Sequence, residues 1–154
     1  MKDYKKHKIK ILCIIPARSG SQRVMNKNLL KFERKSLVEL AYEAAKKSDV
    51  CDYIFVSTNK RLIARGLPMI KRSEKLSGPK SDISDAIHES LVKIEKIKGI
   101  KFDYVICLQP TSPLRNGNLI KTLLNNVIKF RANGGITGIK VVPWLWKIKK
   151  KWGY

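Results

Sequence analysis

Four β-branched runs set what this chain can fold into: Ile9–Ile15, Tyr53–Ser57, Tyr104–Leu108 and Ile136–Val142. Each is continuously apolar rather than alternating, the pattern of strands covered on both faces. Two are introduced alike, by Asp52-Tyr53-Ile54 and Asp103-Tyr104-Val105. Helical patterns lie between the runs. Ser36-Leu37-Val38-Glu39 spells a capping box, and Leu37, Leu40, Ala41, Ala44 and Ala45 follow on one stripe. Ser81 or Asp82 caps a second predicted helix, with the stripe Ile83, Ala86, Ile87, Leu91 and Ile94, which stops near Gly99. A third starts at about Asn118, carries Leu119, Leu123, Leu124, Val127 and Ile128, and ends at Gly134-Gly135. Strands alternating with helices predict an α/β fold, with a mainly parallel sheet and helices on both faces.

The chain has 154 residues, near the ~100–150 most common for one domain, so a single domain is expected over 1–154. Hydrophobic residues make up 44% of it, enough for a packed core. No apolar run approaches the ~20 residues of a membrane span. The basic N-terminus precedes only a short apolar stretch without a small-residue cleavage site, which argues against a signal peptide and for a cytoplasmic location.

Charge is the anomaly: Lys+Arg 33 against Asp+Glu 12 gives +21. Such an excess raises a nucleic-acid reading. Its distribution favours solvated surface charge, or attraction of a smaller anionic ligand. The first ten residues hold five lysines and Lys147–Lys151 hold four, so 1–8 and 147–154 read as basic tails. The rest is mostly single lysines on predicted helix surfaces. A nucleic-acid module should interleave aromatics with its cations, and only Trp144–Trp152 does so. No specific nucleic-acid partner is therefore expected. Cys13, Cys51 and Cys107 have no metal-ligand spacing, and an odd count argues against a disulfide framework. Cys13 and Cys107 lie in apolar runs and read as buried thiols. His7 and His88 lack partners at zinc spacing.

In an open α/β sheet, ligands bind beyond the carboxyl ends of the strands. Three loops leave such ends: Pro16–Lys31, Thr58–Ser81 and Gln109–Asn118. The first opens with Arg18, Ser19, Gly20 and Ser21 and contains no carboxylate before Asn28. It matches neither the dinucleotide nor the P-loop pattern. Its chemistry still suits phosphate. Gly20 lets backbone N–H groups approach an anion, Ser19 and Ser21 add hydroxyl donors, and Arg18 offers a planar fork. The third loop holds Gln109 at a strand end, with Thr111-Ser112 stiffened between Pro110 and Pro113.

These segments occur together as "IPARSGSQRVMNKN" (Ile15–Asn28), "VSTN" (Val56–Asn59), "IKRSEKLSG" (Ile70–Gly78) with "SDAIHESL" (Ser84–Leu91), and "LQPTSPLR" (Leu108–Arg115). Their order resembles the acylneuraminate cytidylyltransferases, the CMP-sialic acid synthetases and their relatives for pseudaminic and legionaminic acids. The resemblance covers about residues 9 to 145. It implies a Rossmann-like nucleotidyltransferase fold and a magnesium-dependent reaction, in which CTP and an acidic nine-carbon keto-sugar give the CMP-sugar and pyrophosphate. By the same resemblance, the first loop wraps the nucleotide phosphates through Arg18, Ser19, Gly20 and Ser21, Asn28 contacts the nucleotide, Lys27 adds positive charge beside Asn28, and Arg18 and Lys27 serve the reaction itself. Arg72 and Ser81 would contact the nucleotide from the second loop. Gln109, with Thr111 and Ser112, would lie on the sugar side.

The sequence departs from the family in four ways. Gln22 stands where a lysine is usual, and the acidic residue common around Pro79 is absent. Asn59–Met69 is too short for the usual helix and is broken by Gly66-Leu67-Pro68. Family members also continue past the point matching Trp146, with a dimerisation segment and a magnesium-holding aspartate pair. No metal ligands are therefore assigned: Asp82 and Asp85 read as helix-capping residues, and Glu33 is isolated. The expectation is the nucleotide-binding half of such an enzyme, whether a truncated gene, a fragment or a divergent protein, without the segment by which the family dimerises and with little or no turnover for want of the aspartate pair; a non-catalytic nucleotide-binding remnant is the alternative.

Overall fold

The computed structural model describes residues 9–20, 27–32 and 34–138. In chain order the elements are strand β1 (Ile11–Pro16), a short hairpin of β2 (Lys31–Phe32) and β3 (Lys35–Ser36), helix α1 (Leu37–Ser48), strand β4 (Tyr53–Thr58), the single turn α2 (Arg61–Ala64), strand β5 (Met69–Lys71), helix α3 (Ile83–Lys98), strand β6 (Tyr104–Cys107) and helix α4 (Gly117–Lys129). The main sheet has the order β5-β4-β1-β6, and all three pairings are parallel.

β1 is the hub. Its alternate side chains serve two cores, which explains why its sequence does not alternate. Cys13 and Ile15 pack with Val38, Ala41 and Ala45 of α1 and Ile120 of α4. Leu12 and Ile14 face the other way, onto Ile70 of β5 and Ile94 of α3. Leu12, Ile14 and Ile15 are fully buried, each worth about 1.5–3 kcal/mol relative to exposure. Helices thus cover both faces, as expected. The paired aspartates noted in the sequence have a shared task at the start of β1. Asp52 Oδ2 accepts from Ile11 N (2.8 Å) and Asp103 Oδ2 from Lys10 N (2.7 Å).

The first two helix starts follow the predicted signals, and the third, expected at about Asn118, begins at Gly117 behind a cap that was not foreseen. Ser36 Oγ accepts from Glu39 N (3.2 Å), and Glu39 Oε2 accepts from Ser36 N (2.7 Å), a complete capping box. Asp82, rather than Ser81, caps α3 by accepting from Ser84 N (2.7 Å). Asn116 caps α4 through Leu119 N (2.9 Å). The buried faces are rotated from the predicted stripes. In α1, Val38 is fully buried while Leu37 and Leu40 are half-buried. In α4, Ile120 is buried and Leu119 exposed. Helix α4 ends at Lys129, ahead of the expected glycines.

Two further expectations change. Cys107 is exposed, not buried, because it is the last residue of β6, which has no outer neighbour among the described residues. The fourth strand of the sheet is β5, whose three residues after Pro68 were too few to read as a strand. Of the expected strand Ile136–Val142, residues 136–138 carry no strand and the rest lie outside the described residues, as do both basic tails and Glu33. Asn59–Met69 holds only the single turn α2, in keeping with its shortness. Among the described residues no helix is long and apolar enough to cross a membrane.

Candidate functional site

The site is built where β1, β4 and β5 end on the same edge of the sheet. Ala17 N still donates to Ser57 O of β4 (2.9 Å), and the chain then leaves the sheet. Hydrogen bonds with Asn28 and Asn59 fasten the turn at Arg18, Ser19 and Gly20. Asn28 is buried, and its Nδ2 donates to Arg18 O (2.9 Å). Ser19 N donates to Asn59 Oδ1 (3.0 Å), and Asn59 Nδ2 donates back to Ser19 Oγ (2.9 Å) and to Glu74 Oε2 (3.2 Å). Ser19 Oγ, an acceptor here, still has a proton to donate. Gly20 has φ 70 and nothing within 4 Å of where a Cβ would sit, so the turn exposes its backbone. Arg18 is half-buried, and its Nη1 makes long contacts to Gly20 O and Ser77 O, both 3.4 Å.

Arg72 is the unusual residue. It is 4% exposed. Its backbone N donates to Thr58 O (2.9 Å), continuing the β4–β5 ladder. Its Nε approaches Ser57 Oγ at 3.4 Å, and its buried Nη2 has no hydrogen-bond partner. Burial pushes the Arg72 pKa below its ordinary value, the charge of Arg18 pushes the same way, and Glu89 opposes both. No ion pair holds either guanidinium among the described residues. Burial alone would raise Glu89. Hydrogen bonds from Lys93 Nζ (2.9 Å) and Ser73 N (3.1 Å) outweigh that and hold its carboxyl below the ordinary range.

The remaining predicted residues fall at various distances from this pair. Lys27 is half-buried and opens the 3-10 turn Lys27–Leu29. Ser81 is half-buried, and its hydroxyl donates to Gly78 O (2.5 Å), a turn just before α3. Gln109, Thr111 and Ser112 are exposed on the loop after β6. Leu108 N donates to Ile14 O (3.0 Å), which roots that loop beside β1, and Arg115 Nη1 reaches Gln109 O (3.4 Å). Ser21 lies outside the described residues. Sequence reasoning passed over Ser57, Asn59, Glu74 and Ser90. Ser57 and Asn59 were visible as polar residues ending the apolar run of β4. Ser90 was visible as a hydroxyl between Ala86 and Ile94 on the buried stripe of α3.

Two adjacent guanidiniums, a glycine turn and hydroxyl donors, with no carboxylate paired to either arginine, make a receptor for an anion of several oxygens. Among the described residues no group of three or more His, Cys, Asp or Glu that could hold a metal ion occurs.

The sheet and the loops at its carboxyl edge superpose on those of solved nucleotidyltransferases. A solved CMP:2-keto-3-deoxy-manno-octonic acid synthetase, in complex with CTP, superposes with a TM-score of 0.63 at 24% identity, over 80% of this chain and 49% of that one. A cytidylyltransferase structure from Leptospira borgpetersenii gives 0.59 at 20% identity, over 79% and 50%. At these identities the likeness is one of fold. The cytidylyltransferase family model matches residues 12–134, and the chain belongs to that family. It is 36% identical over 120 residues to the CMP-N,N'-diacetyllegionaminic acid synthase of Legionella pneumophila, covering 73% of this chain and 51% of that protein. It is 32% identical over 128 residues to a pseudaminic acid cytidylyltransferase of Campylobacter jejuni, covering 79% and 54%. The chain thus spans about half the length of these relatives.

Proposed function

We propose that this chain binds CTP at the ends of β1, β4 and β5 and serves the transfer of CMP to an acidic nine-carbon keto-sugar, with release of pyrophosphate. The observation that carries the reading is Arg72, a buried guanidinium with an unpartnered Nη2 beside the charge of Arg18. An anion there satisfies the donor and relieves the repulsion. The relatives' names supply the sugar class, since they act on legionaminic and pseudaminic acids.

In this reading Arg18, Ser19, Gly20, Ser21 and Asn28 line the phosphates, with Lys27 beside them. Arg72 and Ser81 face the nucleotide, and Gln109, Thr111 and Ser112 face the sugar. The anomeric hydroxyl oxygen of the sugar forms a bond to the α-phosphorus and releases its proton to water, the bond to the bridging oxygen breaks, and pyrophosphate departs with the electron pair. Negative charge spreads over the phosphoryl oxygens during this exchange. Donors held in advance stabilise it without reorganising. The loop after β1 lacks carboxylates because its ligand is a polyanion.

Calorimetry with CTP and ATP, and chromatography of products formed with magnesium and pseudaminic or legionaminic acid, test the proposal. CTP should bind at least about tenfold tighter than ATP, a difference of about 1.4 kcal/mol. Equal affinities would sink the cytidylyltransferase site. CTP binding without product supports a second reading, a nucleotide-binding chain without turnover.

A further inference from the structure

The Arg72 guanidinium is not held by a charge but by two serines in series. Arg72 Nε lies 3.4 Å from Ser57 Oγ, Ser57 Oγ lies 2.7 Å from Ser90 Oγ, and Ser90 Oγ lies 2.8 Å from Ala86 O. The four groups come from β5's exit, β4 and α3, and both serines are essentially inaccessible to solvent. The proton order along this line follows from its two ends. Ala86 O can only accept, so the single Ser90 proton is directed to it. Were Ser90 to donate to Ser57 instead, two oxygen lone pairs would face each other at 2.8 Å in a buried place. Ser57 must therefore give its own proton to Ser90. What Ser57 then presents to Arg72 is a lone pair, aimed at the Nε–H, which can only donate.

We propose that Ser90 and Ser57 are positioning residues, forming a one-way hydrogen-bond relay from Arg72 to the Ala86 carbonyl that fixes the guanidinium and keeps its Nη2 free for an anionic ligand. The inference rests on the nucleotide-binding reading of the site for the identity of that ligand. A planar guanidinium pinned through Nε cannot swing about its last bond to pair Nη2 elsewhere. This accounts for a buried donor left without a partner, which a protein tolerates where a ligand supplies the missing acceptor. The helix contributes more than a surface: a serine bonding back to the carbonyl four residues earlier is anchored to the rigid ladder of α3. Ser90 touches neither Arg72 nor the space beyond it in any hydrogen bond, so its effect must pass through Ser57.

Two measurements on the whole chain test this. In the protein without nucleotide, the 15N–1H resonance of Arg72 Nε is assigned and its exchange with water measured. Ser90→Ala should accelerate that exchange at least about tenfold, because Ser57 loses its acceptor and no longer presents a fixed lone pair. Unchanged exchange overturns the relay whatever the protein binds. The second measurement is a double-mutant cycle on CTP affinity. Ser90→Ala should weaken CTP by about three- to tenfold, the range of one ordinary hydrogen bond, and do nothing in an Arg72→Lys background, which has no Nε–H to hold. Equal losses in both backgrounds mean that Ser90 acts on packing alone, and overturn the proposal. If Ser90→Ala does not fold, Ser90→Cys keeps nearly the same volume with a weak donor and should shift both readouts in the same direction. Faster exchange in Ser90→Ala, together with a parent chain that binds no CTP, would uphold the relay and defeat the proposed nucleotide.

Discussion

Gly117→Ala should loosen the contact between α1 and α4, at a magnitude the geometry sets. Gly117 is the first residue of α4 and is buried. A Cβ there would sit 2.6 Å from Lys47 C, 2.6 Å from Ser48 N and 2.7 Å from Lys47 O, all backbone atoms at the end of α1. No rotamer change removes a backbone clash, so the helices must part. Overpacking of this kind costs typically 1–3 kcal/mol. Alanine recovers up to about 1 kcal/mol of that, since glycine is the poorer helix former. Taking about 2 kcal/mol for the clash, the net loss is about 1–2 kcal/mol, or roughly 2–8 °C in Tm for a chain of this size. The loop from Gln109 to Asn116 runs directly into α4, so the displacement also reaches the proposed sugar side. Urea unfolding and calorimetry of Gly117→Ala measure the effect. Gly78→Ala is the control: Gly78 has φ -70 and an open Cβ position, and the substitution should be neutral or slightly stabilising. A Gly117→Ala protein as stable as its parent would refute the close approach of the two helices.

Arg18→Ala should weaken CTP by about tenfold to a hundredfold, from the loss of a charge-assisted fork worth roughly 1.5–3 kcal/mol, with little change in Tm. Arg18→Lys should recover part of this, and calorimetry on both variants decides it. Ser36→Ala should cost about 0.5–2 kcal/mol, read from urea midpoints, since it opens the capping box of α1. The same box gives a pH dependence. The hydrogen bonds from Ser36, ahead of the Arg65 charge, hold the Glu39 pKa below its ordinary value despite partial burial. Its contribution is therefore complete above the unfolded carboxylate range, about 4.3, and is lost as pH falls through the lower folded value. Ser36→Ala should shrink that acid-side loss, and an unchanged stability profile between pH 2 and 6 would count against the linkage.

What could be read from the residues divides along a physical line. β1, β4, β6 and the starts of α1 and α3 were legible because their signals are local: continuous apolar runs, a capping box, Asp before a stripe. Arg18, Ser19 and Gly20 of the first loop could be singled out because a phosphate site, as proposed, must be written in donors. Long-range consequences were not. Cys107 looks buried within Tyr104–Leu108, and only the sheet order shows that its strand is an edge among the described residues. Val38 and Ile120 displaced the predicted Leu37 and Leu119 because β1 chooses which helix face it meets. The three residues of β5 are too few for any periodicity, yet they carry the chain to Arg72.

The residues that break local rules mark the site more sharply than any pattern they obey. A packed core favours apolar side chains, yet Arg72 is buried where only a serine answers it and a like charge faces it. A strand interior favours β-branched side chains, yet β4 turns inward a serine that binds a second serine on α3. A loop favours solvated polar groups, yet Asn28 is buried beneath the turn that Arg18 and Gly20 form. None of these is needed to hold β1 between its neighbours. Leu12, Ile14 and Ile15 do that, and an apolar residue at 72 would serve the fold better. Each departure lies where β1, β4 and β5 end, and each adds or orients a donor. Such agreement in place and in chemistry is expected when stability has been given up for a ligand, and the ligand it describes is an anion.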